Sequence, residues 1–206
     1  MVAIQVEKLS KAFANRSVLR GLSVRIEGGE RVVVRGPNGS GKSTLLRMLA
    51  GLLTPSAGTI RISTPDGTVQ ENDWRRRWTG YLSPDLTLYE EFSALENLEF
   101  FALARGMGRN RARDAGLLAN LGLGDRLVDP LGTLSTGLRQ RAKLAFALQG
   151  EPRILLLDEP GSNLDQVGRE LIASTVAEYG AKGSAVVIAT NDPLEVGLGT
   201  RTLDLA

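Results

Sequence analysis

The chain has 206 residues, 42% of them hydrophobic, which suits one domain with enough apolar surface for a real core. Twenty-five Lys and Arg residues against 23 Asp and Glu leave a net charge of +2, which makes no demand for nucleic acid as a partner. Cys and His are both absent, so disulfides, thiolate metal sites, thiol nucleophiles and imidazole bases are excluded for this chain alone. No stretch approaches the roughly 18 unbroken apolar residues of a membrane span. The first residues, MVAIQVEKLS, lack the basic-then-apolar order of a signal peptide. The expectation is a cytoplasmic chain whose membrane role, if it has one, depends on a partner that supplies the spans. The dense cationic run Arg75, Arg76 and Arg77 reads as a solvated helix face.

In chain order, residues 2–7 and 22–27 alternate apolar and polar and read as strands, the second followed by the turn Gly28-Gly29. Residues 31–35 (RVVVR) form a short β-branched run that ends at glycine. Ser43 to Leu53 has helical periodicity, and residues 58–62 return to a strand. From about 86 to 150 the character changes: β-branched residues are few, and helices are predicted over 92–104, 111–121 and 136–148. Residues 154–157 are continuously apolar, as suits a parallel strand buried on both faces. A helix over 167–179, a buried strand over 184–190 and a closing segment at 202–205 complete the pattern. Helices alternating with apolar strands predict an α/β domain. Residues 1–85 and 151–206 would form its core and 86–150 an inserted helical lobe.

The segment Gly36-Pro-Asn38-Gly39-Ser-Gly41-Lys42-Ser43-Thr44 matches the P-loop pattern, with a predicted strand before it and a predicted helix after it. Its glycines let backbone N–H groups turn inward around phosphate oxygens. The helix N-terminus adds partial positive charge. Lys42 is placed to reach the terminal phosphates, and the Ser43 hydroxyl is a hard oxygen ligand for Mg²⁺. These residues predict binding of a Mg-nucleotide, and the P-loop alone does not choose among kinases, GTPases and ATPases.

Ile154-Leu-Leu-Leu-Asp158-Glu159-Pro160 places two carboxylates at the C-terminal end of a buried strand, where open α/β sheets bind ligands. Asp158 is then positioned to hold Mg²⁺. Glu159 is positioned to orient the attacking water and accept its proton.

Leu134-Ser135-Thr136-Gly137-Leu138-Arg139-Gln140-Arg141 resembles the signature segment of ATP-binding cassette (ABC) ATPases, and lies between the P-loop and the acidic strand as in that family. Ser162-Asn-Leu-Asp165 resembles the family's D-loop, and Phe13 resembles its adenine-stacking aromatic. The ordering spans essentially the whole chain. The resemblance implies a P-loop NTPase of ABC type: a mostly parallel core sheet, an N-terminal antiparallel β subdomain and an inserted α-helical lobe. It also implies a head-to-tail dimer with a second cassette, identical or not, with two ATP molecules held between the P-loop of one subunit and Ser135 and Gly137 of the other. A transmembrane permease would be the further partner, and the chain would lie peripherally on the inner face of the cell membrane. In the family, a permease helix docks beside the segment that begins the helical lobe, so Tyr89, Glu90 and Glu91 become candidate contacts.

Three departures from the family pattern stand out. Asn191 occupies the place of a His after the strand ending at Thr190; it can donate to a γ-phosphate but cannot become a cation. Ser83-Pro84-Asp85 stands where a Gln is usual, and Asp85 is a candidate oxygen near Mg²⁺. Thr136 and Leu138 replace a Gly and a Gln in the signature. With Lys42 and Glu159 intact and Asn191 a weaker donor, the expectation is firm ATP binding with slow hydrolysis. The alternative is an ATP-sensing regulatory or assembly module with little or no turnover.

Overall fold

The three apolar runs become the middle layer of the fold. In the computed structural model, which describes residues 1–14, 16–64, 67–69 and 78–205, β3 (Arg31–Arg35), β7 (Ile154–Asp158) and β8 (Ala185–Ala189) lie side by side with β6 (Thr79–Leu82) and β9 (Arg201–Asp204) at the edges. All five strands are parallel, in the order β6-β7-β8-β3-β9. Every residue of β7 and β8 is buried. Successive side chains serve opposite faces: Leu155, Leu157, Val186, Ile188 and Val33 join one core, while Ile154, Leu156, Val187, Val32 and Val34 join the other. Each such fully buried aliphatic side chain contributes about 1.5–3 kcal/mol of transfer free energy, which is why these strands read as unbroken apolar runs rather than as alternation.

One face is covered by α1 (Lys42–Leu49) and by an antiparallel sheet of β1 (Ala3–Phe13), β2 (Arg16–Glu27), β4 (Ala57–Thr64) and β5 (Gly67–Val69), ordered β2-β1-β4-β5. The other face packs on α5 (Gln166–Ala181) and on helices α2 (Ala94–Ala104), α3 (Arg111–Asn120) and α4 (Thr136–Leu148), which lie between β6 and β7 in the chain. A short α6 (Pro193–Val196) precedes β9. The architecture expected from the sequence, an N-terminal antiparallel sheet against a parallel core with a run of inserted helices, is the one observed.

Element boundaries moved for identifiable reasons. β1 continues to Phe13 and β2 begins at Arg16, well beyond the alternating stretches, because register shifts after Val6 and Leu9 break the two-residue period. The helix expected to reach Leu53 ends at Leu49, where the N–H groups of Leu52 and Leu53 turn back to the carbonyl of Arg47. Helix α2 starts at Ala94 rather than 92 because Ser93 caps it reciprocally: its hydroxyl accepts from Glu96 N at 3.2 Å, while Glu96 Oε2 accepts from Ser93 N at 2.8 Å. The edge strand β5 and helix α6 had no counterpart in the sequence reading. The Arg75–Arg77 run lies outside the described residues.

Candidate functional site

Strand β3 ends at Arg35 and the chain turns through Gly36 to Gly41 before α1 begins at Lys42. Gly41 is the N-cap with φ 100°, and no side chain caps the helix, so its first N–H groups remain for another acceptor. A Cβ on Gly41 would press against Val18 and Leu19 of β2, so the loop fits closely beneath that strand. Lys42 is only 6% exposed; its Nζ donates to the carbonyls of Gly36 at 2.7 Å and Pro37 at 3.3 Å. The ammonium is thus held across the loop it must serve.

Above this loop lies a cleft of about 490 Å³ lined by Phe13, Arg16, Val18, Asn38, Gly39, Gly41, Lys42, Ser43, Thr44 and Glu159. Phe13 is half exposed at the end of β1, with Lys11 Nζ 5.0 Å from its ring centroid. The cleft is therefore lined by an aromatic ring, the glycine-rich loop with its lysine, and a carboxylate. Asp158, at the tip of β7, is 2% exposed, with the Ser43 hydroxyl near enough to favour its charged form. Burial raises its pKa, the Ser43 hydroxyl opposes this, and the Glu159 charge adds to the rise. Tyr81 OH donates to Asp158 Oδ2 at 3.4 Å. Glu159 adopts φ 48°, a left-handed conformation for a non-glycine residue, and is anchored by its N–H to Ala189 O at 2.8 Å. Such a backbone at this position turns the Glu159 side chain into the cleft while Asp158 stays buried beneath.

Asn191 reaches the same loop: its Nδ2 donates to Asn38 Oδ1 at 3.4 Å, across 153 positions of sequence. Ser135, Gly137 and Asp165 do not line the cleft. Ser135 caps α4 by accepting from Leu138 N at 3.3 Å. Gly137 faces Asn163 O. Asp165 caps α5 through Gly168 N at 2.8 Å and pairs with Arg141 at 3.0 Å. These three form a second surface on the same chain. Asp85 pairs with Arg47 rather than standing free beside Asp158.

The ABC transporter family model matches residues 19–162, the span from β2 through the acidic strand. The chain belongs to the ABC transporter family. A lipoprotein-releasing system ATP-binding protein, LolD, of Chromohalobacter salexigens is 40% identical over 184 residues, covering 86% of this chain and 78% of that protein. LolD 2 of Rhodospirillum rubrum is 36% identical and covers 98% of this chain and 93% of its own length. Among solved structures, a dimeric post-hydrolysis state of the ATP-binding cassette MJ0796 bound to ADP and Pi superimposes with a TM-score of 0.85 at 27% identity, over 98% of this chain and 94% of that one. The chain is an ABC ATPase cassette of a transporter.

Several contributors to the site had escaped the sequence reading. Arg16 and Val18 line the cleft from β2. Only the antiparallel return of that strand, which pairs Phe13 with Arg16, brings them there. Glu195 is 7% exposed beneath the loops that follow β7 and β8, and burial raises its pKa. Its sequence context, a lone acid after a Pro-Leu pair, carries no signal of its own.

Proposed function

We propose that this chain binds Mg-ATP in the cleft between Phe13 and Glu159 and powers a transporter by closing head-to-tail on a second cassette, identical or different. The observation that carries this reading is the separation of two surfaces on one chain. The cleft has the aromatic face, the phosphate loop and the base, but Ser135 and Gly137 lie outside it. A nucleotide in the cleft leaves its outer side open to a partner's Ser135 and Gly137, which sit at a helix start suited to phosphate. The described residues contain no cluster of three acidic side chains that could hold a cation alone. Mg²⁺ fits here instead as an ion shared with the nucleotide: the Ser43 hydroxyl and the buried Asp158 carboxylate are hard oxygen donors that would hold it beside the phosphates. When bound, it neutralises charge on the β- and γ-phosphates.

In the hydrolytic step the Glu159 carboxylate accepts a proton from water as the water oxygen bonds to the γ-phosphorus and the bond to the β,γ-bridging oxygen breaks, leaving ADP and phosphate. Lys42 and the loop N–H groups stabilise the charge that develops on the transferring group. Asn191, held by Asn38, donates a neutral hydrogen bond where an imidazolium would give a stronger one, so turnover is slow. Asp165 serves the closed dimer indirectly, by fixing the start of α5 and the Arg141 side chain of the signature helix.

No helix among the described residues is long and apolar enough to cross a membrane. The chain would work on the cytoplasmic face through a transmembrane permease. The exposed aromatic face of Tyr89, Phe92 and Phe100, with Tyr89 stacked edge-on to Phe100 at 5.2 Å, is where we place that docking, alongside Glu90 and Glu91. In this reading residues 1–85 and 151–206 form the nucleotide-binding part and 86–150 the part that meets the permease. Nucleic acid has no role in it.

The test is Mg-ATP hydrolysis by the purified chain over a range of protein concentration, with Glu159→Gln as control. Turnover that rises with concentration and vanishes in the control is expected. Tight ATP binding with no turnover above the control would replace the motor reading by that of an ATP-sensing regulatory or assembly module.

A further inference from the structure

The loop that carries Glu159 and the strand end that carries Asn191 are joined underneath by one buried side chain. Glu195, in α6, places Oε1 2.6 Å from the N–H of Gly161, two residues beyond Glu159. Helix α6 itself begins at Pro193, two residues after Asn191. Gly161 has no room for a side chain: a Cβ there would overlap Glu195 Oε1, and its three nearest neighbours would all be Glu195 atoms. Glu195 Oε2 is buried without a hydrogen-bond partner. A carboxyl that is only 7% exposed with one idle oxygen costs stability, because the unpaired atom has given up its water. A buried unpaired polar atom of this kind marks the junction as a place to look for a role.

Two further bonds brace the same corner. Asp192 pairs with Arg169 of α5 at 2.7 Å, and Asp192 N donates to Thr190 Oγ1 at 2.9 Å. The Glu159 turn is itself closed by Ser162 N to Glu159 O at 3.2 Å and Leu164 N to Gly161 O at 3.1 Å. Among the described residues, Gly161 is thus the point at which a hydrogen bond from the Glu159–Asp165 segment reaches the α6 side chain. From these contacts we propose that Glu195 is a positioning residue for ATP hydrolysis: by tying Gly161 to α6, the helix that follows Asn191, it fixes the Glu159 carboxylate and the Asn191 amide at one mutual spacing. The inference rests on the hydrolytic reading of the cleft. It adds a residue that touches neither nucleotide nor metal. The expected signature is a loss of turnover without a loss of nucleotide affinity, because the phosphate loop and Phe13 do not contact Glu195.

A double-mutant cycle tests it. Glu195→Ala should lower kcat by about tenfold to a hundredfold, the range expected when a reacting group is misplaced by a fraction of an ångström to an ångström, with the Mg-ATP Kd within about threefold of wild type. Gly161→Ala, which displaces Glu195 by steric overlap alone, should produce the same split. In the Glu195→Ala background the added Cβ at Gly161 meets open space, so Gly161→Ala should then cost nothing further. Glu195→Gln keeps the acceptor for Gly161 N–H and should recover most of the activity lost in Glu195→Ala. Thermal denaturation of each variant accompanies the kinetics, and if Glu195→Ala does not fold, Gly161→Ala and Glu195→Gln carry the comparison. Wild-type kcat in Gly161→Ala, or additive losses in the double variant, overturns the inference while leaving the hydrolytic reading intact. Absence of turnover in the wild type overturns that reading and the inference with it.

Discussion

Replacing Lys42 by Met keeps an unbranched, mostly apolar stem and removes the ammonium. In the free chain that ammonium makes a charge-assisted hydrogen bond to Gly36 O at 2.7 Å and a longer one to Pro37 O at 3.3 Å while 6% exposed. A hydrogen bond to a charged group contributes about 1.5–3 kcal/mol net. The shorter bond should supply most of this, because the longer one lies at the edge of useful geometry. The loss of loop stability is then about 2 kcal/mol, which for a chain of this length corresponds to a fall in Tm of about 4–8 °C. Nucleotide binding should suffer more. The same ammonium is the one cation built into the phosphate loop, and its removal forfeits charge-assisted bonds to the terminal phosphates, about 2–4 kcal/mol or a roughly thirtyfold to thousandfold rise in Kd. Differential scanning fluorimetry reads the first effect, and titration with Mg-ATP at about 0.15 M salt reads the second. A Lys42→Met chain that binds Mg-ATP within threefold of wild type would refute the placement of phosphate over this loop. A chain that loses affinity without losing Tm would refute the clamp across Gly36 and Pro37.

Arg16→Gln removes a guanidinium that lines the cleft and has no carboxylate partner among the described residues; Mg-ATP affinity should fall by up to about fivefold, as for an exposed ion pair, whereas adenosine affinity should not change. Asn191→His should raise turnover at pH 6–7, where an imidazole carries charge; an unchanged rate would count against Asn191 as the weak donor. Acid stability follows from two capping carboxylates. The Gly168 N–H and then Arg141 hold Asp165 below its ordinary pKa, and the Leu194 N–H and then Arg169 do so for Asp192. Their folded pKa values are depressed, so their contribution is fully present above the unfolded carboxylate value of about 3.9 and is lost as pH falls through the folded values. Urea unfolding at pH 5 and at pH 3 should show a smaller pH difference in Asp165→Asn than in wild type.

The phosphate loop, the Asp158–Glu159 pair and the buried strands beneath them were legible in the sequence because each is a local device. Gly36 to Thr44 makes its cradle from consecutive backbone groups, and β7 advertises burial on both faces by an unbroken apolar run. The family's order of motifs was equally legible, since order is a property of the chain. The strand ends were less so: the breaks in β1 and β2 follow from register shifts that periodicity cannot register.

What the tertiary structure alone decided is which distant residues share the site. Arg16 and Val18 enter the cleft because β2 returns antiparallel from Phe13. Asn191 meets Asn38 because β8 lies beside β3, and Glu195 meets Gly161 because the segment after β8 folds over the turn that follows β7. Asp165, part of the D-loop resemblance, accepts within the chain from the Gly168 N–H and pairs with Arg141, and Asp85 pairs with Arg47. Hydrogen-bond partners of short polar side chains depend on positions within a few tenths of an ångström. Those positions are set by strand order and packing, which many sequences can satisfy, and not by any pattern along the chain.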